Sequence, residues 1–262
     1  MRCRTILSLS ITGLLLCGCS TYTQTTSGQD WLAAYRAAPA RQGAAPDDID
    51  TRVRLAGAIE PTLRFPARIG IARIGKSGWQ PELAAVPADE VAAWMAARER
   101  LGAGFGEFIP VSPLVAAMME PDIRVGPNDR VGAARHLIDT IRLAAARQHL
   151  DAVLIYEVNA TADQKSNPLR FADWTVIGAF VLPSQDVKAM GVAQAMLVDV
   201  RNGYPYGQVT SSVDDKTMSA VFYSGEAKAS LSQKVEDAAV VKLAGESEAM
   251  LRRLKDDLAA RR

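Results

Sequence analysis

The chain has little cysteine and less histidine, and neither is placed for chemistry. Its three cysteines, Cys3, Cys17 and Cys19, all fall at the N-terminus. A disulfide framework and a thiolate metal site are therefore excluded from the rest of the chain. The two histidines, His136 and His149, fall on one expected helix thirteen residues apart. At a rise of about 1.5 Å per residue they are about 20 Å apart, too far to share a metal. No apolar run approaches the ~20 residues that a membrane-spanning helix needs. Neither sign of charge dominates, with 30 basic and 29 acidic residues. A chain without a basic excess has no means of neutralising phosphates along nucleic acid, so no nucleic-acid partner is expected. What remains is ordinary: 48% hydrophobic and 23% charged residues, enough apolar material to exclude disorder of the whole chain.

The N-terminus reads in three parts. Arg2 and Arg4 form a positive start, Ile6 to Leu16 an apolar run, and Leu16-Cys17-Gly18-Cys19 its close. About eleven apolar residues are too few to span a bilayer and suit a signal peptide. The close resembles the bacterial lipobox, with a small residue, Gly18, before the cysteine and Leu16 three places before it. Cys17 follows bulky Leu16 and does not fit. The resemblance implies cleavage before Cys19 and acylation of its sulfur, with Leu16 and Gly18 read by the signal peptidase. One acyl chain binds a bilayer marginally and two hold stably, at about 0.8 kcal/mol per buried CH₂. The bilayer is then the first partner, reached through acylated Cys19. Ser20 behind the cysteine, where an Asp would mark inner-membrane retention, favours the periplasmic face of the outer membrane. Three regions are expected: 1–18 as signal peptide, 19–60 as lipidated N-terminus and flexible tether, and 61–262 as a single domain.

Within that domain the pattern reads as α/β with a mixed sheet: a β-α-β-α-β first half, then an antiparallel meander and a C-terminal helix. Phe65 to Ile74 reads as a strand ended by Gly75-Lys76-Ser77-Gly78. Pro87 opens a helix through Val91, Trp94, Met95, Arg98 and Leu101, stopped by Gly102. Phe105 to Val111 is a short strand. Asn128-Asp129 caps a helix to about Leu150, with Val131, Ala134, Leu137, Ile138, Ile141 and Ala145 as its stripe. Asp151 to Asn159 is apolar on both faces at its centre, as a buried parallel strand should be. Trp174 to Leu182, Met190 to Val200 and Tyr206 to Val213 follow as strands, the last two joined by the hairpin signal Asn202-Gly203. Ala227 to Ala260 forms the closing helix, with a soft point at Gly245.

Motifs tested for chemistry return little. Gly102-Ala103-Gly104-Phe105-Gly106 follows a helix and opens a strand, the reverse of a phosphate cradle. Gly75-Lys76-Ser77-Gly78 lacks the upstream glycine spacing of a nucleotide loop. Gly-x-Ser-x-Gly is missing, and the pairs Asp47-Asp48 and Asp214-Asp215 fall where turns and caps are expected. No catalytic residue, metal ligand or cofactor is expected, and the chain is not expected to be an enzyme.

At Asp173-Trp174-Thr175-Val176-Ile177-Gly178-Ala179-Phe180-Val181 and Ala195-Met196-Leu197-Val198-Asp199-Val200 the chain resembles the rhombotarget lipoprotein family. The family name implies C-terminal processing by a rhomboid-type protease. The end of this chain, Leu254 to Arg262, is charged and lacks the Gly-Gly motif and apolar tail that processing needs. More coarsely, the strand order is similar to periplasmic domains of the curli-secretion lipoprotein and of lipoprotein activators of cell-wall synthases. The expectation is a non-catalytic interaction or assembly module of the envelope, with a protein partner or a second copy. The alternative is an envelope hydrolase or small-ligand binder, using loops near Asn159 to Asp173 and Gln185 to Lys188.

Overall fold

The computed structural model describes residues 20–34, 48–77, 80–119, 129–161, 190–214 and 225–261. They form a mixed α/β arrangement in which one sheet is covered by helices on both faces. The strands are β1 (Ser20–Thr23), β2 (Ala67–Ser77), β3 (Gln80–Ala84), β4 (Gly106–Pro110), β5 (Ala152–Thr161), β6 (Met190–Asp199) and β7 (Pro205–Asp214). The helices are α1 (Gly28–Ala34), α2 (Ile49–Gly57), α3 (Ala88–Leu101), α4 (Pro113–Met119), α5 (Arg130–Arg147) and α6 (Gly225–Ala260). The sheet order is β1-β7-β6-β5-β2-β3, with β4 also beside β2.

β2 runs parallel to β4 and β5, with helical crossovers between them, as the first-half pattern requires. Its outer edge is shared: Ala67–Ile71 pair with β4, and Arg73–Ser77 pair antiparallel with β3. That sharing corrects the expected end of the strand at Gly75. The backbone continues straight because β3 lies against it, with Gly75 opposite Glu82. β5, β6 and β7 then form the antiparallel meander. The expected strand Trp174–Leu182 lies outside the described residues.

Alternation along β5 shows how the layers are built. Leu154 and Tyr156 join Trp94 and Ala97 of α3 and Leu243 and Met250 of α6 on one face. Val153 and Ile155 join Leu137, Ile141 and Ala144 of α5 on the other. Both faces are buried, which is why the strand reads as a continuous apolar run. Asp129 accepts the Gly132 amide at 2.8 Å and caps α5 as expected. Val131, placed in the stripe by spacing, is instead 73% exposed. Gly102, with φ +81°, ends α3. α6 passes through Gly245 unbroken, so the expected soft point is not a break.

The described part of the expected tether is built into the body. β1 pairs antiparallel with β7, from Ser20 opposite Thr210 to Thr23 opposite Gly207. The Gln24 amide continues the pairing to the Tyr206 carbonyl at 2.8 Å. Thr25 is 6% exposed, and Tyr204 Oη donates to the Thr26 carbonyl at 2.8 Å. Glu60 Oε1 accepts from Ser27 Oγ at 3.2 Å and from the Gln29 amide at 2.9 Å, holding the start of α1. The Trp31 ring of α1 lies against the backbone of α2 at Gly57. Backbone groups that would otherwise need water find protein partners here, and this is what turns a polar segment into structure.

Candidate functional site

Cys19, Leu16 and Gly18 lie outside the described residues, as do Asp47, Asp215 and most of both loops offered for a hydrolase. The two histidines do not share a helix. α5 ends at Arg147, and His149 stands two residues beyond it with φ +57°. The Gly102–Gly106 segment is a helix stop and a short 3-10 turn leading into β4. A side chain at Gly106 would overlap the Ala67 backbone, so that glycine serves close strand pairing. Among the described residues no group of three or more His, Cys, Asp and Glu is arranged to hold a metal. No described helix is long and apolar enough to cross a membrane.

A concavity of about 720 Å³ opens between the C-terminal half of α5 and the end of β6. Leu143, Ala146, Leu150 and Val200 make its apolar wall, and Asp139, Arg142, His149 and Arg201 its polar edge. The turn after α5 shapes it. The His149 amide donates to the Ala146 carbonyl and the Leu150 amide to the Ala145 carbonyl, both at 3.0 Å. This is the Schellman closure, in which the residue after the C-cap takes the left-handed conformation, usually as glycine. His149 is the only non-glycine residue with positive φ among the described residues. Left-handed backbone costs a side-chain-bearing residue about 1–2 kcal/mol relative to glycine. Strain of this kind, kept at the edge of a cleft, points to use of the side chain there. We expect His149→Gly to stabilise the fold by about 1 kcal/mol, raising the thermal midpoint by roughly 2–4 °C. A scanning melt checks this; an unchanged or lower midpoint would remove the strain argument.

Two of the cations around the cleft, Arg68 and Arg201, are held by the same turn. Arg68 Nη1 donates to the Gln148 and His149 carbonyls at 3.2 and 3.1 Å. Asp151 accepts the Arg68 amide at 2.9 Å through Oδ2 and Arg201 Nη2 at 2.9 Å through Oδ1. Arg142 Nη2 reaches the Val200 carbonyl at 3.2 Å, and its guanidinium lies against Gly203 of the β6–β7 turn. Asp139 approaches Arg142 at 3.6 Å on the helix surface. Arg201, though paired with Asp151, keeps 60% of its side chain exposed, so a ligand can reach its guanidinium. An apolar wall edged by guanidinium groups suits a partner that presents a carboxylate beside an aliphatic or aromatic side chain.

Beneath the turn, Asp199 is fully buried and ends β6. Its carboxylate accepts Thr62 Oγ1 at 2.6 Å, Tyr206 Oη at 2.8 Å and the Arg201 amide at 2.8 Å. Tyr206 Oη in turn accepts the Thr62 and Leu63 amides at 2.8 and 2.6 Å. Burial, and then the bond to Asp199, hold the Tyr206 phenol well above the usual tyrosine range. The network ties the N-terminal segment to the hairpin that carries Arg201. Its arrangement could not be read from spacing, because Thr62 and Asp199 are far apart in the chain. On the α5 side of the sheet a polar row, Glu157, Gln194, Thr210 and Ser20, also crosses four strands in register.

No family model and no curated protein matches the chain. Among solved structures it is similar to the PelC dodecamer from Paraburkholderia phytofirmans, at 10% identity and a TM-score of 0.33, over 71% of this chain and 86% of that one. It is similar to the C-terminal domain of LpoB from Salmonella enterica, at 13% identity and a TM-score of 0.28, over 58% and 86%. It is also similar to a lipoprotein from Neisseria meningitidis, at 16% identity and a TM-score of 0.27, over 66% and 97%. A bacterial lipoprotein is thus among the structures it is similar to. At such scores the likeness is one of partial chain path, and the cleft's chemistry rests on its own residues.

Proposed function

We propose that this chain is a lipoprotein of the outer membrane, acylated on Cys19, whose body is a non-catalytic docking module of the cell envelope. Supporting the anchor are the lipobox residues Leu16, Gly18 and Cys19 and the serine that follows them. The resemblance to rhombotarget lipoproteins agrees with it, and its second motif lies in β6 and the start of the hairpin. The observation that carries the docking reading is the cleft, where a strained His149 and the exposed Arg201 flank an aliphatic wall. The partner is a protein segment offering a carboxylate next to an apolar side chain. A second reading, a small-ligand-binding lipoprotein, is favoured by the cleft's volume, which falls within the 300–1,000 Å³ of ordinary ligand sites.

Photo-crosslinking in intact envelopes separates the two. A photoreactive residue in place of His149 should yield a protein adduct, and one in place of exposed Lys234 on α6 should not. Arg201→Glu should lower the yield from position 149 by roughly tenfold, the equivalent of about 1.4 kcal/mol. Equal adducts from both positions would remove the cleft from the docking role. A small-molecule adduct at 149 without a protein one would favour the second reading.

A further inference from the structure

We infer that the acylated protein has no slack at its anchor: the β1 edge and the Thr161–Met190–Asp214 end of the sheet lie against the bilayer, with the cleft turned away. The inference rests on the proposed acylation of Cys19 and goes beyond it, because an anchor alone sets no orientation.

The register of β1 carries the argument. Ser20, the residue directly after the acylated position, is already opposite Thr210 in the sheet. From there the segment is held by β7, by Tyr206, by Tyr204 and by Glu60 in turn. The lipid-bearing residue is therefore a single Cα step, about 3.8 Å, from a hydrogen-bonded strand. A coil of the forty residues expected in this region would have let the body wander tens of ångströms from the surface. Here it cannot. The lipid would have to carry the sheet edge with it.

Direction follows from the antiparallel pairing. Moving back along the chain from Thr23 to Ser20 runs from Gly207 toward Thr210, hence toward Asp214. Asp214 pairs with Met190, and Met190 with Thr161, so these three mark one end of the sheet. The opposite end holds Asp199, the Arg201–Gly203 turn and Asp151 at the start of β5. Thr210 and Pro205, the cleft-end start of β7, are separated by about 17 Å along the strand at about 3.4 Å per residue. Lipid and cleft thus lie at opposite ends, leaving the guanidinium edge free for a partner. Tyr22 gives an independent sign of a lipid surface. It sits three residues from the anchor, on the same side of β1 as Ser20, and is 60% exposed. A tyrosine with an apolar ring and a polar tip is the side chain that bilayer interfaces favour.

The test uses the full-length acylated protein in vesicles of phosphatidylethanolamine and phosphatidylglycerol containing a nickel-chelating lipid. Acylation occupies Cys19, so a nitroxide attaches only to an introduced thiol, either Tyr22→Cys or Arg147→Cys at the cleft end. Nickel at the headgroups should relax the label at 22 several-fold more than the label at 147. A Gly-Ser insert of about twenty residues after a duplicated Ser20 adds roughly 25 Å of coil and should erase that difference. Equal relaxation without the insert, in protein whose N-terminal peptide mass shows the acyl chains, overturns the orientation and leaves the anchor standing. An N-terminal mass without acyl chains overturns both. Spin–spin broadening between labels at 22 would show β1 paired with a second copy, which also overturns the bilayer contact.

Discussion

Asp199→Ala will cost the fold on the order of 4 kcal/mol and release the N-terminal segment from the body. The carboxylate is fully buried and receives two hydroxyls and the Arg201 amide at 2.6–2.8 Å. A hydrogen bond to a charged group contributes about 1.5–3 kcal/mol, and a buried donor left without a partner adds its desolvation cost. Water entering the cavity recovers part of that, which brings the sum down to the value given. Against a typical stability of about 5–15 kcal/mol this is a large share. The urea midpoint should fall with little change in slope, since the surface exposed on unfolding is similar. Trypsin should then cut at Arg52, Arg54 and Arg64 well before the sheet unfolds, because Thr62 and Leu63 lose their hold through Tyr206. A loss below about 1 kcal/mol, or an unchanged cleavage pattern, would show that the network does not hold the segment. The pH dependence has a definite sign. The Tyr206 phenol is raised in the fold, so its contribution is complete below the ordinary tyrosine value of about 10 and falls as pH rises above it. Asp199→Ala should weaken that alkaline loss by bringing the phenol back toward its ordinary value.

How far the fold could be read in advance depended on whether a residue's partners were close in sequence. The run Val153-Leu154-Ile155-Tyr156 announced a strand buried on both sides, and the layers on either face bear this out. Asp129 and Gly102 announced the start of one helix and the end of another through local hydrogen bonding alone. Asn202-Gly203 announced a hairpin because left-handed backbone there suits glycine. β1 did not announce itself. Ser20-Thr21-Tyr22-Thr23 has no apolar face, and what holds it is the free backbone edge of β7. β3 was hidden by Pro81 and Glu82, tolerable because β3 ends the sheet. The site was less legible still. His149 passed for the last turn of a helix, since nothing in the sequence marks a histidine taking the place of glycine in a Schellman turn. Arg201 and Arg142 are brought together by the packing of α5 on β6, a contact across 58 residues of chain.

Glu90 shows the same limit in the core and supports the second large prediction. In sequence it is an acidic residue in the first turn of α3, the ordinary complement to a helix dipole. In the fold it is 3% exposed, receives both of its Arg73 contacts at 3.0 Å, and accepts the Tyr156 hydroxyl. Tyr156 is in turn packed edge-on against Trp94, with ring centroids 5.2 Å apart. Burial, then the bond to Glu90, hold the Tyr156 phenol far above its ordinary range, so it remains a donor. Removing one member of such a cluster costs more than the cluster is worth, because the others stay buried without partners. Glu90→Ala should therefore destabilise by about 3–5 kcal/mol; with 19% of the Arg73 side chain exposed, escape of its charge to water places the loss at the lower end. Replacing all three together, Arg73→Met, Glu90→Leu and Tyr156→Phe, should fall within about 1 kcal/mol of the parent. Denaturant melts of both variants decide it. A triple variant as unstable as Glu90→Ala would mean that the ion pair itself stabilises the core. A nearly neutral triple variant would leave the pair a different role, fixing the register of α3 on β2 and β5, since two buried charges that must meet tolerate fewer alternative packings than aliphatic side chains do.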